Sequence, residues 1–353
     1  MRILQLNFER GWRGGERQTL LCMQEFRRAG HEVELLARLN GELARHARAD
    51  GFAVHAYANV WGLCWFLLSG GRRFDILHAQ TANTITWLAL FKPWLRRPIV
   101  FTRRTAFGLG KGARKTAWKW RRADRLVAIS AAAAAEPRRL GLDVVVIPSA
   151  VAAQTLDLAH VQAFSAQYGL KGKRVLATAA ALTREKDPCT LIRAVHDLRS
   201  RRDDFVFVHL GAGGDAEQAA RSLVKELGLE KHYLFAGFQE RVEDLYRIMS
   251  LFVLSSRQEA LGTSVLDAFL YAVPVVSTNA GGLKESLAGG RGLLCEVGDY
   301  RALSVAMARV LDDAALRKSL VDKAQVYVML EHDSARMAQR YLAEYSRLLG
   351  TRL

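Results

Sequence analysis

Short apolar runs alternate with longer amphipathic stretches along this chain, and no other sequence feature constrains the fold as strongly. Residues 2–7 and 31–38 are typical of strands, and residues 16–29 between them have the spacing of a helix. The apolar runs are continuous instead of alternating with polar residues, which is typical of parallel strands covered on both faces. The pattern therefore predicts an α/β fold built on parallel sheets.

The pattern begins again after residue 150, and 353 residues are enough for two domains of similar size. We predict two doubly wound, Rossmann-like domains, residues 1–150 and 151–332, with the boundary within 148–155. The chain from residue 301 onward is predicted to be helical with a break near His332, and a helix over about 333–353 is expected to pack back on the first domain. The expected ligand site is a cleft between the domains, faced by the carboxyl ends of both sheets.

The positive charge is concentrated in the first domain. Residues 1–150 contain 25 Lys and Arg against 11 Asp and Glu, so they carry +14 of the net charge of +16. Such a field attracts anions, which include nucleic acids, anionic lipid head groups and phosphorylated glycans. Half of the residues are hydrophobic, which excludes a disordered or low-complexity protein.

The cysteines and histidines form no metal-binding or redox pattern. We therefore expect a reduced, cytoplasmic chain without structural zinc. The first residues are typical of a strand and not of a signal peptide. The most apolar stretch, 60–68, has nine residues, whereas a membrane span needs about twenty, so a buried or interfacial helix is expected.

Gly14 and Gly15 follow the first predicted strand and open a helix. Glycines allow close backbone approach, and a helix start offers N–H groups and partial positive charge to a phosphate or a sugar. An ordinary pair of loop glycines is the alternative. A second glycine cluster, at 211–214, is interpreted as a tight turn between a strand and a helix, because its spacing does not match a dinucleotide-binding motif.

The most informative segment runs from Glu259 to Glu285. Glu259 lies on the loop before a predicted helix, Gly262 stands at the helix start, and Asp267 follows one to two turns later. Two acids around a helix start suit sugar hydroxyl pairs, while the helix amides suit phosphate. A capping acid and a solvated acid would explain the carboxylates, but not the Gly-Gly-x-x-Glu sequence at 281–285.

In order and spacing, these segments and others resemble the retaining glycosyltransferases of family 4, which have the GT-B fold. The matching segments are Gly14-Gly15-Glu16-Arg17, Asp75-Ile-Leu-His78, Ile147-Pro148-Ser-Ala-Val151, 179–194 and 259–285. Together they extend over nearly the whole chain. The resemblance implies transfer of a sugar, of hexosyl or heptosyl type, from a nucleotide-sugar donor to an acceptor with retention of configuration.

The chain departs from the family pattern at several positions. Asp267 stands where the family has a second Glu, and it reaches about one methylene less far toward a ribose. Ala181 stands where the family has a phosphate-binding Arg, and Arg184 is a candidate to replace that charge. Arg103 and Arg104 replace the usual His after the fifth strand, as in a subgroup that acts on bacterial surface glycolipids.

The resemblance also implies roles for individual residues. The predicted catalytic residues, which contact the donor sugar, its diphosphate or the acceptor, are Glu259, His78 and Lys186. The predicted donor-binding residues are Gly14, Gly15, Arg184, Leu261, Gly262, Thr263 and Asp267. Candidates for the acceptor or the diphosphate are Arg103, Arg104 and Glu285. Each has a structural alternative: a core histidine for His78, solvated cations for Lys186 and the arginines, and a helix cap for Glu285.

The donor is expected to be a nucleotide sugar, with a UDP-sugar favoured, and no cofactor is expected. No Asp-x-Asp sequence occurs, so we expect no metal site and no requirement for a divalent metal ion. Charge on the leaving diphosphate would instead be stabilised by Lys186, by the amides near Gly262 and by the Gly14–Gly15 loop.

Cations are interleaved with tryptophans in residues 92–98 and 110–122, which include Trp94, Trp118 and Trp120. This mixture suits the surface of an anionic membrane. We therefore expect a peripheral protein on the inner face of the cytoplasmic membrane, with an anionic, lipid-linked acceptor of the lipopolysaccharide core type. A solvated helix with tryptophans turned inward is the alternative.

Two other functions are compatible with parts of the sequence. A basic nucleic-acid-binding protein would explain the charge, but the charge is confined to one domain and no nucleic-acid-binding motif occurs, so no nucleic-acid partner is expected. Another GT-B enzyme, such as a nucleotide-sugar epimerase, would share the fold.

Overall fold

The computed structural model of the protein describes residues 1–110 and 112–351. Lys111 in the basic stretch and the last two residues of the predicted C-terminal helix lie outside the described residues. The chain divides into two compact units, Met1–Ala150 with the C-terminal segment from His332, and Val151–Glu331. His332, which the sequence analysis assigns to the second domain, thus belongs to the first unit.

Seven strands form one parallel sheet in the first unit, in the order β3-β2-β1-β4-β5-β6-β7. They are β1 (Arg2–Asn7), β2 (Glu32–Arg38), β3 (Ala53–Tyr57), β4 (Ile76–Ala79), β5 (Ile99–Arg103), β6 (Arg125–Ala128) and β7 (Val145–Val146). The central strand β1 pairs with β2 on one side and with β4 on the other. The chain therefore reverses its winding between β1 and β4, where the loops that follow these strands diverge.

Seven helices cover this sheet. They are α1 (Gly14–Arg28), α2 (Glu42–Ala49), α3 (Val60–Gly70), α4 (Ala82–Leu95), α5 (Ala113–Arg121), α6 (Ala131–Arg139) and, from the end of the chain, α15 (Ser334–Leu349). Helix α15 belongs here because Tyr341 and Tyr345 are buried in the same core as Phe26 of α1. The helix predicted for residues 333–353 thus packs on the first unit.

The second unit repeats the pattern with a parallel sheet in the order β10-β9-β8-β11-β12-β13. Its strands are β8 (Arg174–Ala179), β9 (Phe205–Leu210), β10 (Tyr233–Gly237), β11 (Met249–Leu254), β12 (Val275–Thr278) and β13 (Leu293–Cys295). Its helices are α7 (Leu158–Gln167), α8 (Pro188–Arg199), α9 (Glu217–Glu226), α10 (Val242–Leu245), α11 (Thr263–Leu270), α12 (Leu283–Leu287), α13 (Tyr300–Asp312) and α14 (Ala314–Glu331). The winding reverses between β8 and β11, which pair with each other.

The C-terminal region has two breaks, whereas the sequence analysis predicts one near His332. The break near His332 is present, because the Asp333 carboxylate accepts a hydrogen bond from the Arg336 amide at 2.8 Å and begins α15. The second break is at Asp313, whose carboxylate accepts from the Leu316 amide at 2.8 Å. Aspartates in these positions satisfy the free amides of a first helical turn, so each starts a new helix.

In the described part of the chain, no helix combines the length and the apolar character that crossing a bilayer requires.

Candidate active site

The carboxyl edge of the second sheet brings Lys186 and Glu259 into contact. Lys186 lies on the loop after β8 and Glu259 on the loop after β11, the two strands that flank the reversal of winding. The Lys186 ammonium donates to Glu259 Oε1, and the Ser256 hydroxyl donates to the same oxygen at 3.2 Å. The side chains retain exposures of 23% and 12%, so both remain open to a ligand. The sequence-predicted pair therefore lies together where open α/β sheets bind ligands.

Two glycines explain why the Glu259 loop has this position. A Cβ atom on Gly281 would lie 2.2 Å from the Glu259 carbonyl oxygen, and one on Gly282 would lie 2.1 Å from that of Ala260. The Gly282 amide donates to the Glu259 carbonyl at 2.9 Å. The Gly-Gly-x-x-Glu segment thus packs directly on the backbone of Glu259, an approach that only glycine allows.

A second pair of glycines supports the loop that leads to Lys186. A Cβ atom on Gly211 would lie 1.9 Å from the Ala180 carbonyl oxygen, and one on Gly214 would lie 2.3 Å from that of Leu182. The glycine cluster after β9 is therefore a close turn against the neighbouring loop, in agreement with its interpretation from the sequence.

Helix α11 begins beside Glu259. Gly262 is its N-cap with φ of 79°, in the left-handed region, and a Cβ atom there would lie 2.6 Å from Leu283 Cδ2. Thr263 is the first helical residue and is half-buried. It follows Glu259 by four positions, so the free amides of the first helical turn come shortly after Glu259 in sequence. The Leu261 side chain is buried at 3% exposure, so only its backbone is a candidate donor contact.

Asp267, the predicted ribose contact, lies in α11 and is only 1% exposed. An aspartate reaches about one methylene less far than the glutamate of the family pattern. The contact between Asp267 and a ribose stays a prediction.

Arg184 lies on the loop after β8, and Glu285 lies in the short helix α12. The Arg184 guanidinium is 3.4 Å from the Asp215 carboxylate, with 83% of its side chain exposed. Glu285 is half-buried in the first turn of α12, and its carbonyl accepts from Arg291 at 2.6 Å. Arg184 thus has freedom to move toward an anion, and Glu285 occupies the helix-start position that its structural alternative anticipates.

At the carboxyl edge of the first sheet, Gly14 and Gly15 are the first residues of α1, and this helix start lies beside Arg104. A Cβ atom on Gly15 would be 3.7 Å from Arg104 Cδ. The Arg104 guanidinium donates to Gln80 Oε1 at 2.6 and 3.2 Å and to Ser149 Oγ at 3.2 Å. Gln80 was not singled out in the sequence. The feature that could have indicated it as a site residue is its position directly after β4, at the carboxyl edge of the sheet.

His78 is a core residue, as its structural alternative anticipates, and its contact with the sugar or the acceptor stays a prediction. Its exposure is 0%. Its Nδ1 accepts from the Tyr345 hydroxyl at 2.6 Å and from Gln5 at 3.2 Å, and its Nε2 pairs with Thr102 Oγ1 at 2.8 Å. Burial, assisted by the nearby Arg104 charge, holds the pKa of His78 well below its usual value, so the imidazole is neutral.

Arg103 is buried as well, and its role as an acceptor or diphosphate ligand stays a prediction. It is 2% exposed. Its guanidinium donates to the carbonyls of Ala133 at 2.6 Å and Phe107 at 2.5 Å, and it lies 5.1 Å from the centre of the Trp120 ring. Arg103 is buried and Arg104 is half-buried, because neighbouring residues at the end of a strand point to opposite faces of the sheet.

Among the residues that the structure describes, no group of three or more His, Cys, Asp or Glu side chains is arranged to hold a metal ion.

Two family models match the chain and between them extend over most of it. The model described as glycosyl transferases group 1 matches residues 161–326, and the model described as glycosyltransferase family 4 matches residues 12–155. The first match contains Lys186, Glu259 and the Gly281–Gly282 loop, and the second contains the Gly14–Gly15 loop and Arg104.

Individual proteins are similar to this chain as well. A lipopolysaccharide core biosynthesis mannosyltransferase, LpcC of Rhizobium leguminosarum bv. viciae, is 27% identical over 79% of this chain and 80% of its own length. N-acetyl-alpha-D-glucosaminyl L-malate synthase of Bacillus anthracis is 32% identical over 36% of this chain, an alignment that spans about a third of that enzyme (34%).

A crystal structure of HepE from Anabaena in complex with UDP and glucose superposes with a TM-score of 0.87 at 19% identity, over 98% of this chain and 100% of that one. At that identity the likeness concerns the fold, which consists of two Rossmann-like units, as in proteins of the GT-B fold. The two family models, which match residues 12–155 and 161–326, show that this chain belongs to the family 4 glycosyltransferases.

Proposed function

We propose that this protein transfers a sugar from a nucleotide-sugar donor, a UDP-sugar being favoured, to an anionic lipid-linked glycan, with retention of configuration. The observation that carries the proposal is the contact between Lys186 and Glu259 at the reversal of winding in the second sheet. One partner suits the diphosphate of a donor and the other suits its sugar hydroxyls.

In the proposed reaction Lys186 stabilises the leaving diphosphate. The bond from the anomeric carbon to the diphosphate oxygen breaks, so negative charge grows on the departing group. A preorganised cation and helix amides lower the barrier because they are oriented before that charge develops. Lys186 and the amides at Thr263 supply this positive potential, and we propose that no divalent ion is required.

Glu259 would bind donor-sugar hydroxyls. Its Oε1 already accepts from Lys186 and from Ser256, which fixes the carboxylate in a half-buried position. Such a carboxylate accepts hydrogen bonds from two hydroxyls and stabilises the positive charge that develops on the sugar ring. We propose that the acceptor attacks from the face that the diphosphate leaves, and that the departing phosphate oxygen takes the acceptor's proton.

The first unit would bind the acceptor. Arg104 is half-buried and fixed by Gln80 and Ser149 beside the Gly14–Gly15 helix start, which gives a positively charged position for a phosphate or carboxylate. The similarity to LpcC, a lipopolysaccharide core biosynthesis mannosyltransferase, supports an acceptor of this class. The cations of α5 support an anionic membrane as partner and a location on the inner face of the cytoplasmic membrane.

A transfer assay tests the proposal. The protein is incubated with UDP-, GDP- and ADP-sugars and a lipopolysaccharide core acceptor, in the presence of excess EDTA, and the product anomer is determined. We expect transfer from at least one donor, with the donor's anomeric configuration preserved. Inversion would contradict the proposed stereochemistry, loss of transfer restored by magnesium would contradict the metal-independent step, and interconversion of donor sugars without an acceptor would indicate an epimerase.

A further inference from the structure

Helix α3 is apolar on both its buried and its exposed face. Three side chains on one face, at helical spacings of four and three residues, point to solvent: Trp61 is 77% exposed, Trp65 63% and Leu68 42%. The opposite face packs into the first unit through Leu63, Cys64, Phe66 and Leu67. A surface helix normally carries polar residues on its outer face, so this exposed apolar row requires an explanation.

Helix α4 extends the same surface. The Trp94 indole nitrogen donates to the Leu68 carbonyl at 3.0 Å, which attaches this ring to the end of α3. Trp94 and Leu90 are each 50% exposed. The exposed side chains of the two helices therefore form one apolar surface, made of Trp61, Trp65, Leu68, Leu90 and Trp94, which we call the indole face.

Arginines border the indole face. The Arg72 guanidinium lies 4.0 Å from the centre of the Trp94 ring, and its Nε donates to the Trp94 carbonyl at 2.7 Å. Arg97 donates to the Arg72 carbonyl at 2.9 Å, and Arg96 beside it is exposed. Residues 60–98 contain five Lys and Arg but a single acidic residue, Asp75. The border is thus cationic.

We propose that the indole face inserts into the head-group region of an anionic lipid bilayer and anchors the protein there. Indole rings prefer the interface between lipid tails and water, and arginines at the rim bind lipid phosphates. This inference rests on the membrane location proposed above. The sequence analysis places Trp94 in a stretch suited to a membrane surface and leaves residues 60–68 as a buried or interfacial helix; the structure adds that both helices share one exposed apolar surface. The charged helix α5 attracts the protein from a distance, whereas the indole face holds it after contact.

Vesicle co-sedimentation tests the anchor without any substrate. The probe is a vesicle of phosphatidylcholine and phosphatidylglycerol, first at about 0.1 M salt and then at about 1 M, where screening removes most of the attraction between exposed charges. We expect Trp61→Gln/Trp65→Gln to lower the bound-to-free ratio about tenfold or more at high salt, because two large apolar groups no longer leave water. Trp61→Gln alone, at the most exposed position, should lower it by a smaller factor.

A matched control removes exposed apolar side chains from another helix. Val326 and Met329 of α14 are 59% and 60% exposed, and Val326→Gln/Met329→Gln should bind vesicles as the parent does. Unchanged binding of the double tryptophan variant, or an equal loss in the control, would overturn the proposal. So would self-association of the parent, measured by sedimentation without vesicles, that the tryptophan variant abolishes, because the face would then join two copies of the chain.

A charge variant separates this inference from the proposed membrane location. Arg114→Gln/Lys115→Gln/Arg121→Gln changes exposed cations of α5 and should weaken binding mainly at low salt. If this variant loses binding while Trp61→Gln/Trp65→Gln does not, the anchor is contradicted and the membrane location stands. If the parent itself does not bind, both are contradicted. Donor binding should be the same in all variants.

Discussion

At the scale of single residues, the account depends on Lys186 and Glu259, which come from loops more than seventy positions apart and share a hydrogen bond. Their pairing leaves each side chain partly open, so that a ligand can take over part of the interaction. A buried and fully satisfied pair would instead be a structural ion pair. Arg103 shows the contrast of a buried cation, since two of its nitrogens donate to backbone carbonyls.

We expect Glu259→Ala to lower turnover on the order of a hundredfold, because a contact that strengthens as the sugar distorts acts mainly on the transition state. The fold should persist, since the residue is partly exposed at a loop. Glu226→Ala, an exposed acid on α9, is the matched control and should leave turnover unchanged. Equal turnover of the Glu259 variant and the parent would remove Glu259 from the site.

Gln80 gives a prediction about Arg104. Its oxygen accepts from two Arg104 nitrogens, and its own nitrogen donates to Gln5 Oε1 at 2.8 Å, which fixes the amide orientation. Gln80→Leu should therefore release Arg104 and raise the KM for an anionic acceptor about tenfold, while donor binding stays unchanged. Arg104→Ala should act in the same direction, and Arg48→Ala, on α2, should have no effect. A change in donor affinity alone would contradict the assignment of Arg104 to the acceptor.

At the scale of elements, the Lys186–Glu259 site is made by loops that pack on one another at the carboxyl edge of the second sheet. The loop after β12 fixes the loop after β11, and the loop after β9 fixes the loop after β8. In both cases a glycine backbone lies against a carbonyl oxygen. Side chains on the loops are consequently oriented by backbone contacts that no larger residue permits.

Gly281→Ala tests this packing. Gly281 has φ of 49°, and the new Cβ atom would meet the Glu259 carbonyl oxygen at 2.2 Å, so the Glu259 loop must move. We expect turnover to fall by about tenfold to a hundredfold, since small displacements of a positioned group are costly. Gly298→Ala is the control, because Gly298 also has a positive φ, 84°, but open space around it. Similar losses in both variants would mean that backbone strain, and not the close approach, decides the effect.

His209 connects β9 to the loop that precedes Lys186, and its burial predicts that the stability of the protein depends on pH. Its Nε2 donates to the Ala180 carbonyl at 3.0 Å, and its Nδ1 accepts from the Tyr233 hydroxyl at 2.7 Å. Burial lowers the pKa of His209 from 6.5 to about 4. Between these values the unfolded chain binds a proton that the native state does not, so stability falls as the pH drops through this window and falls no further below it.

Thermal unfolding measured between about pH 7 and about pH 5 tests this effect. The melting temperature of the parent should decrease more steeply with falling pH than that of His209→Gln, which has no titrating group at this position. Parallel curves for the two proteins would show that His209 does not contribute to the acid sensitivity.

At the scale of the whole molecule, the alternation of apolar runs predicts both Rossmann-like units, and the motif around Glu259 predicts which loops lie beside the Lys186–Glu259 pair. Each of these signals lies within a short stretch of sequence, so it can be recognised without knowledge of the fold. Gly281 and Gly282 follow the same rule, since a glycine pair after a strand indicates close backbone approach.

Other features depend on contacts that are distant in sequence. Tyr345 of α15 packs in the same core as His78 and donates a hydrogen bond to it from 267 positions away. No local sequence pattern indicates that contact. Trp118 and Trp120 were predicted to share a membrane-facing surface, but Trp120 is 5% exposed and Trp118 is 40% exposed. Residues two apart on a helix lie on nearly opposite faces, so the helical period alone already separates them. The apolar run at 60–68 predicts a buried or an interfacial helix but does not distinguish them, so the exposure of Trp61 and Trp65 required the structure.

Equilibrium binding of nucleoside diphosphates, measured by calorimetry, tests the central claim that the Lys186–Glu259 site holds a nucleotide-sugar donor. UDP, GDP and ADP are titrated into the parent, Lys186→Ala and the control Lys225→Ala, which changes an exposed lysine on α9. We predict that at least one of them, UDP being favoured, binds the parent and the control equally. Lys186→Ala should bind it about tenfold or more weakly, a difference of about 1.4 kcal/mol or more. Binding of none of the three, or equal binding by Lys186→Ala and the parent, would contradict the account.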